Sequence, residues 1–185
     1  MIVAIDFGIT NTDVAVSNKS QYKFFSIPSK NANESSIDEI ISLIDIDITE
    51  ISQIVVTGGK SNELNESFKG VNLTKISETD AIGYGTKEIY KIENEPFITL
   101  SCGTGTACIH HQDGQFSYIG GIAVGGGTIS GLSKAILDSS SLEEITDLAL
   151  KGNRKNIDLL IGDVVNEIGI LNSNVTASNL SLIHI

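Results

Sequence analysis

The stretch Ile2-Val3-Ala4-Ile5-Asp6-Phe7-Gly8-Ile9-Thr10-Asn11-Thr12-Asp13-Val14-Ala15-Val16 decides the fold. An apolar run reads as a buried strand, a turn of small and hydroxylated residues follows, and a second β-prone run returns. Such a turn lets backbone N–H groups approach an anion closely, and threonine hydroxyls add donors. The pattern recurs in the second half of the chain. Phe97-Ile98-Thr99-Leu100 leads into Ser101-Cys102-Gly103-Thr104-Gly105-Thr106, and Ala107-Cys108-Ile109 returns. Two copies in matching strand contexts predict a duplicated fold closing two hairpins around one polyphosphate.

Composition narrows the function classes. The chain has 185 residues and is 41% hydrophobic, enough to bury a sizeable core. No apolar run reaches the ~18 residues of a membrane span, and Met1 enters the first strand without a secretory leader, so the expected setting is cytoplasmic. A formal charge of −11 disfavours nucleic acid as a partner, because phosphate contacts need clustered Lys and Arg. Any bound nucleotide must therefore rely on backbone donors and metal. Two cysteines do not make a disulfide framework. Cys102, Cys108, His110 and His111 do not read as a zinc set either, since adjacent strand residues point to opposite faces.

Strands are expected at 2–7, 12–17 and 21–27, with a turn at 18–20. A helix capped by Ser35 or Ser36 follows, then a strand over 51–57, a short helix from Asn62 and a strand over 71–77. Glu78 to Tyr90 reads as a helix weakened by Gly83 and Gly85. After Glu95-Pro96 the pattern restarts, giving domains 1–95 and 96–185. Strands are expected at 97–101, 105–111 and 115–119, with an Asp113-Gly114 hairpin turn. Gly120-Gly121 and Gly125-Gly126-Gly127 lead into a helix through Ile136. Ser141 with Glu144 reads as a capping box, Gly152 as a helix stop, and Ile157 to Ile168 as a last helix. The second half repeats the three strands and then helices without reaching the later strands.

Several segments then carry a resemblance. They are Val56-Thr57-Gly58-Gly59, Glu78-Thr79-Asp80-Ala81, Ser101 to Thr106, Gly120 to Leu132, Leu148-Ala149, Gly152 to Leu159, and Val175 to Asn179. On these residues, in collinear order, the chain resembles the acetate-and-sugar-kinase, heat-shock-chaperone and actin superfamily, and within it the type II pantothenate kinase family. The resemblance implies an α/β, actin-like, duplicated ribonuclease H-like fold with an incomplete second domain. It implies ATP-dependent phosphorylation of pantothenate or a related small hydroxyl compound, the first step of coenzyme A synthesis, with ATP and Mg²⁺ as cofactors. Asp6 would sit by the phosphates and the metal. Gly8, Thr10 and Asn11 would form the first phosphate turn, and Gly103, Thr104, Gly105 and Thr106 the second. Gly125, Gly126 and Gly127 would approach the nucleotide at a helix start. Glu78 matches the general base, and Tyr118, Gly121, Thr176 and Ala177 fall with it in the substrate region. The implied partners are a small-molecule substrate and a second copy of the full-length protein, with no nucleic acid and no membrane.

Three positions depart from the family pattern. Asp13 stands where the family has a Lys, Ser117-Tyr118 where it has a substrate-binding Arg, and Ile9 where it has a second turn Gly. The Gly8 to Asp13 stretch also resembles the hydantoinase and oxoprolinase family. A hydantoinase-like or activator-type ATPase with another substrate, and a non-catalytic nucleotide-binding protein, therefore stay open as alternatives. Leu180 to Ile185 has no counterpart in the family, and the chain reads as a C-terminally truncated member.

Overall fold

The computed structural model describes residues 1–18, 21–139, 141–153, 156–166 and 172–176, which divide into two compact units, 1–129 and 130–185. In the first unit, β1 (Ile2–Phe7), β2 (Asn11–Asn18) and β3 (Gln21–Pro28) form an antiparallel meander. On the other side of β1, β4 (Gln53–Thr57) and then β6 (Val71–Lys75) add in parallel, and the two-residue β5 (Ser67–Phe68) closes the edge in the order β3-β2-β1-β4-β6-β5.

Period-two alternation sorts the two faces of this sheet. Val3, Ile5, Phe7, Val14, Val16, Ile54, Val56 and Leu73 all point to one side and are buried. The helix α1 (Glu34–Leu43) covers them with Ile37, Ile40 and Ile41, which share one helical stripe. Its cap is Asn33 rather than either expected serine. Asn33 Oδ1 accepts from the Ser36 N–H at 2.9 Å, and Ser36 is buried in the first turn.

The second meander consists of β7 (Phe97–Cys102), β8 (Thr106–Gln112) and β9 (Gln115–Ile122). Asp113 (φ 52°) and Gly114 (φ 76°) are both left-handed between the paired Gln112 and Gln115, the geometry of a type I′ hairpin. β9 runs past its expected end at 119. Cys108 pairs with Gly120 but Ile109 pairs with Tyr118, so Ile119 is absorbed in a bulge and pairing resumes through Gly121.

The helix α2 (Glu78–Tyr90) has the bounds the sequence predicts, and it packs on this second sheet. Gly83, which weakens the helix by propensity, has a packing reason. A Cβ there would come within 2.2 Å of the Phe116 ring. Tyr84 meets Phe116 edge-on at 4.7 Å, and Phe97 stacks on the buried His111 at 4.7 Å. Thr99 donates to Thr86 Oγ1 at 3.1 Å. Because α2 packs on β7–β9, both meanders belong to the first unit.

The helix α3 (Gly126–Leu137) runs into the second unit, which also holds α4 (Leu142–Lys151) and the short α5 (Ile161–Val164). Ser141 Oγ accepts from the Glu144 N–H at 3.3 Å. The Glu144 carboxylate takes the Ser139 hydroxyl instead of returning to the cap, so only half of the expected capping box forms. The helix expected over 157–168 is reduced to α5 within the described residues. Leu160 is drawn into an antiparallel bridge with Thr176, and the Asp163 carboxylate caps its N–H at 3.0 Å, so helical geometry starts only at Ile161. The turn at Lys19-Ser20, residues 167–171, Ala177 and the 180–185 tail lie outside the described residues. Among the described residues no helix is long and apolar enough to cross a membrane.

Candidate active site

Parallel strands put their carboxyl ends on one edge, and in open α/β sheets that edge collects ligand-binding groups. The β1–β4 pairing ends at Asp6 and Thr57, and β6 leads through Ile76 to the start of α2. The Ile76 N–H donates to Val56 O at 2.9 Å and extends the β4–β6 ladder one step further. Ser77 then caps α2: its Oγ accepts the Asp80 N–H at 3.1 Å and donates to Asp80 Oδ2 at 2.7 Å. Asp80 is thereby held as part of the cap. Glu78, the first helical residue, is exposed beside the edge.

Asp6 is paired directly with Asp13 across β1–β2 and with Thr57 across β1–β4. Its carboxyl is held above the usual carboxylate range, first by desolvation and then by the negative charges of Glu78 and Asp13. Gly58 makes room for it. A Cβ on Gly58 (φ 72°) would lie 2.3 Å from Asp6 Oδ1 and 2.9 Å from Phe7 O. Beside Asp6, Thr57 Oγ1 is buried and lacks a hydrogen-bond partner among the described residues.

The two small-residue turns meet here. Thr10 Oγ1 and Thr104 Oγ1 are 2.8 Å apart, one hydroxyl donating to the other. In the first turn a Cβ on Gly8 would fall 2.6 Å from Asn11 O, and Ser29 Oγ donates to Gly8 O at 2.8 Å. Ile9 stands 81% exposed and is absent from the residues with positive φ, so this turn does not need the glycine that the family places there. Behind it, the buried Thr12 hydroxyl accepts from the Lys30 N–H at 2.9 Å.

The second turn is braced by the glycine run. A Cβ on Gly125 would lie 2.5 Å from Gly105 O, and one on Gly127 would lie 2.6 Å from the Thr104 methyl. The Gly126 N–H donates to Gly103 O at 2.8 Å and is thereby used up. The Thr106 hydroxyl likewise donates to Val124 O at 2.8 Å. Gly125, Gly126 and Gly127 therefore support the loop from behind. With its methyl against Gly127, Thr104 presents its hydroxyl to Thr10. On β9, Tyr118 is 60% exposed and its hydroxyl lies over Gly121, where a Cβ would come within 2.5 Å. Thr176 lies in the second unit, and Ala177 is outside the described residues.

Asp6, Glu78, Thr10 and Thr104 are thus gathered in the first unit, with the remaining glycines of both turns around the threonines. Next to them a cavity of about 620 Å³ opens on the sheet face opposite α1, lined by Ala4, Ala15, Phe24, Val55 and Tyr84, with Asp6 and Asp13 in its wall. Gly58 and Thr57 are missing from the sequence-predicted set. Val56-Thr57-Gly58-Gly59 is legible in the sequence as part of the family resemblance, but only the β1–β4 register places it against Asp6. Among the described residues no group of three His, Cys, Asp or Glu could hold a metal by itself. The oxygen donors present nevertheless suit a hard cation held by a single carboxylate, with phosphate oxygens and water completing the shell.

Comparison with known proteins gives the arrangement a family. The Fumble family model matches residues 83–183. A type II pantothenate kinase of Bacillus anthracis is 33% identical over 184 residues, covering 96% of this chain and 64% of that protein. One of Bacillus cereus is 34% identical over 182 residues, covering 96% and 65%. The chain therefore spans just under two thirds of the length of these relatives. Among solved structures, the activator of 2-hydroxyisocaproyl-CoA dehydratase from Clostridium difficile, with bound ADPNP, superposes with a TM-score of 0.58 at 18% identity, covering 98% of this chain and 66% of that one. The shared architecture is the α/β, actin-like duplicated fold, with the second meander lacking parallel strands among the described residues. Two Thr-bearing turns in contact, the carboxylates at the parallel strand ends and these matches together place the chain in the Fumble family, that of the type II pantothenate kinases.

Proposed function

We propose that the chain carries the phosphate-binding and general-base machinery of an ATP-dependent kinase acting on pantothenate or a related small alcohol, the entry step to coenzyme A. The observation that carries the reading is the contact of Thr10 and Thr104 beside a strand edge bearing Asp6 and Glu78. In this reading the Gly8–Asn11 and Gly103–Thr106 turns hold the β- and γ-phosphates through backbone N–H groups and the two threonine hydroxyls. Gly125–Gly127 keep the second turn in place. Asp6 would hold Mg²⁺, which when bound would supply charge neutralisation to the transferring group.

Glu78 accepts the proton of the acceptor hydroxyl. Its exposure leaves it able to reach an incoming substrate, while Ser77 and Asp80 fix the start of the helix that presents it. Tyr118 and Gly121 belong to the acceptor side. The test is ADP release by the purified protein with ATP, Mg²⁺ and pantothenate, then with other alcohols. Acceptor-stimulated release that Glu78→Gln lowers by about 10²–10⁴-fold supports the reading. Release that no acceptor stimulates, or that Glu78→Gln leaves intact, sinks it.

A further inference from the structure

Asp6 has two registered neighbours in the sheet, Asp13 on β2 and Thr57 on β4. Paired residues point to the same face, and neighbouring strands lie about 4.8 Å apart, so both side chains flank the Asp6 carboxylate. All three line the cavity on the face away from α1. Asp13 contributes a further acceptor and, like Glu78, a negative charge that acts on Asp6. Thr57 contributes a hydroxyl donor. Among the described residues no hydrogen bond reaches the Asp6 carboxylate, and the Thr57 Oγ1 beside it is buried without a partner. A buried hydroxyl left unpaired costs about 1–3 kcal/mol, so one kept at a site calls for a reason. Gly58, the next residue, keeps the space open: a Cβ there would lie 2.3 Å from Asp6 Oδ1, so the carboxylate rests over the end of β4.

We propose that Thr57 is a positioning residue for Asp6: its buried hydroxyl donates toward the Asp6 carboxylate, directly or across one water, and fixes the orientation in which that carboxylate holds a divalent cation. This rests on the kinase reading and deepens it. A carboxylate with an acceptor on one side and a donor on the other has one preferred orientation. It turns an oxygen toward the hydroxyl, in a charge-assisted hydrogen bond, and away from the like charge of Asp13. The other oxygen is then left for the cation. Partners that orient a metal-holding group in this way typically carry about 10–100-fold in metal affinity. In this role Thr57 acts through Asp6 and touches neither the phosphates nor the metal.

Thr57→Val tests it, because valine keeps the branched shape that suits a strand and removes the donor. The readout is binding of a non-hydrolysable ATP analogue by calorimetry, with Mg²⁺ and with EDTA, beside the melting transition. The unaltered protein should bind the analogue more tightly with Mg²⁺, and Thr57→Val should lose about tenfold of that Mg²⁺-dependent affinity. Its binding in EDTA should be unchanged. Its melting temperature should hold or rise, since an unpaired buried hydroxyl is gone. Thr57→Ser, which keeps the donor, should restore the Mg²⁺ effect. Where Thr57→Val does not keep its melting transition, Thr57→Ala carries the same expectation. A full Mg²⁺ effect without the hydroxyl, an equal loss with and without Mg²⁺, or a serine variant as impaired as the valine one overturns the proposal. So does an unaltered protein indifferent to Mg²⁺. The kinase reading is judged separately. A Thr57-dependent Mg²⁺ effect without acceptor-stimulated ADP release keeps the positioning role and removes the kinase. A Mg²⁺ effect lost in Asp6→Asn but intact in Thr57→Val removes the role and keeps the reading.

Discussion

The first and second meanders repeat the same strand-turn-strand path, yet they are stabilised differently. In β1–β3 one face is sealed: Val3, Ile5, Phe7, Val14 and Val16 are at most 4% exposed, α1 lies over them, and β4 and β6 extend the sheet. In β7–β9 the only residues buried to that degree are Ile109 and His111, and Ile98, Leu100 and Ile122 stand 61%, 66% and 62% exposed. Here α2 covers the face bearing Phe97, His111 and Phe116, while the face bearing Ile98 and Leu100 is open among the described residues. The lesson is that a turn's shape is a local property, whereas its rigidity is borrowed from what packs behind it. The first turn borrows from a sheet core. The second borrows from backbone-to-backbone contact with Gly125–Gly127.

The sharpest way to break this contrast is Gly58→Ala. It combines a left-handed φ with a Cβ 2.3 Å from Asp6 Oδ1. A loss of about 2–4 kcal/mol in urea unfolding is expected. A change under about 1 kcal/mol would mean that the β4 end is soft and the first half is not the rigid one.

Next in size is native-state hydrogen exchange. Amides of β1 and β4 should exchange at least about tenfold more slowly than those of β7 and β9, because few buried contacts hold the latter closed. Equal protection would erase the distinction. The smallest effect concerns Asp6. Its raised pKa means that the folded state binds its proton more tightly than the unfolded chain, so this group's contribution makes stability fall as pH rises between the ordinary aspartate value and the raised one. Asp6→Asn should therefore raise the melting temperature by about one to three degrees at neutral pH, with the gain vanishing below the ordinary aspartate pKa. A stabilisation that persists at acid pH would assign the effect to something other than charge.

Much of this was legible in the sequence, and the parts that were not share a cause. Strands with one apolar face, the Asp113-Gly114 hairpin and the bounds of α2 follow from local period and turn chemistry. The bulge at Ile119 and the reduction of the last helix to α5 depend on partners distant in sequence, such as Thr176 for Leu160. For the site, the two turns could be recognised by composition and Glu78 by resemblance. The direct opposition of Asp6 and Asp13 needed the strand register. The role of Gly58, and the use of the Gly126 N–H on Gly103 rather than on an anion, needed coordinates.

The most direct test of the account is a double-mutant cycle on Thr10→Val and Thr104→Val, read as binding of a non-hydrolysable ATP analogue with Mg²⁺. If both hydroxyls grip one phosphate chain, each single change should weaken binding by about tenfold. The pair should then lose clearly less than the product of the two, with a coupling of about 1 kcal/mol or more. Independent losses that multiply, or affinities that do not change, would contradict it.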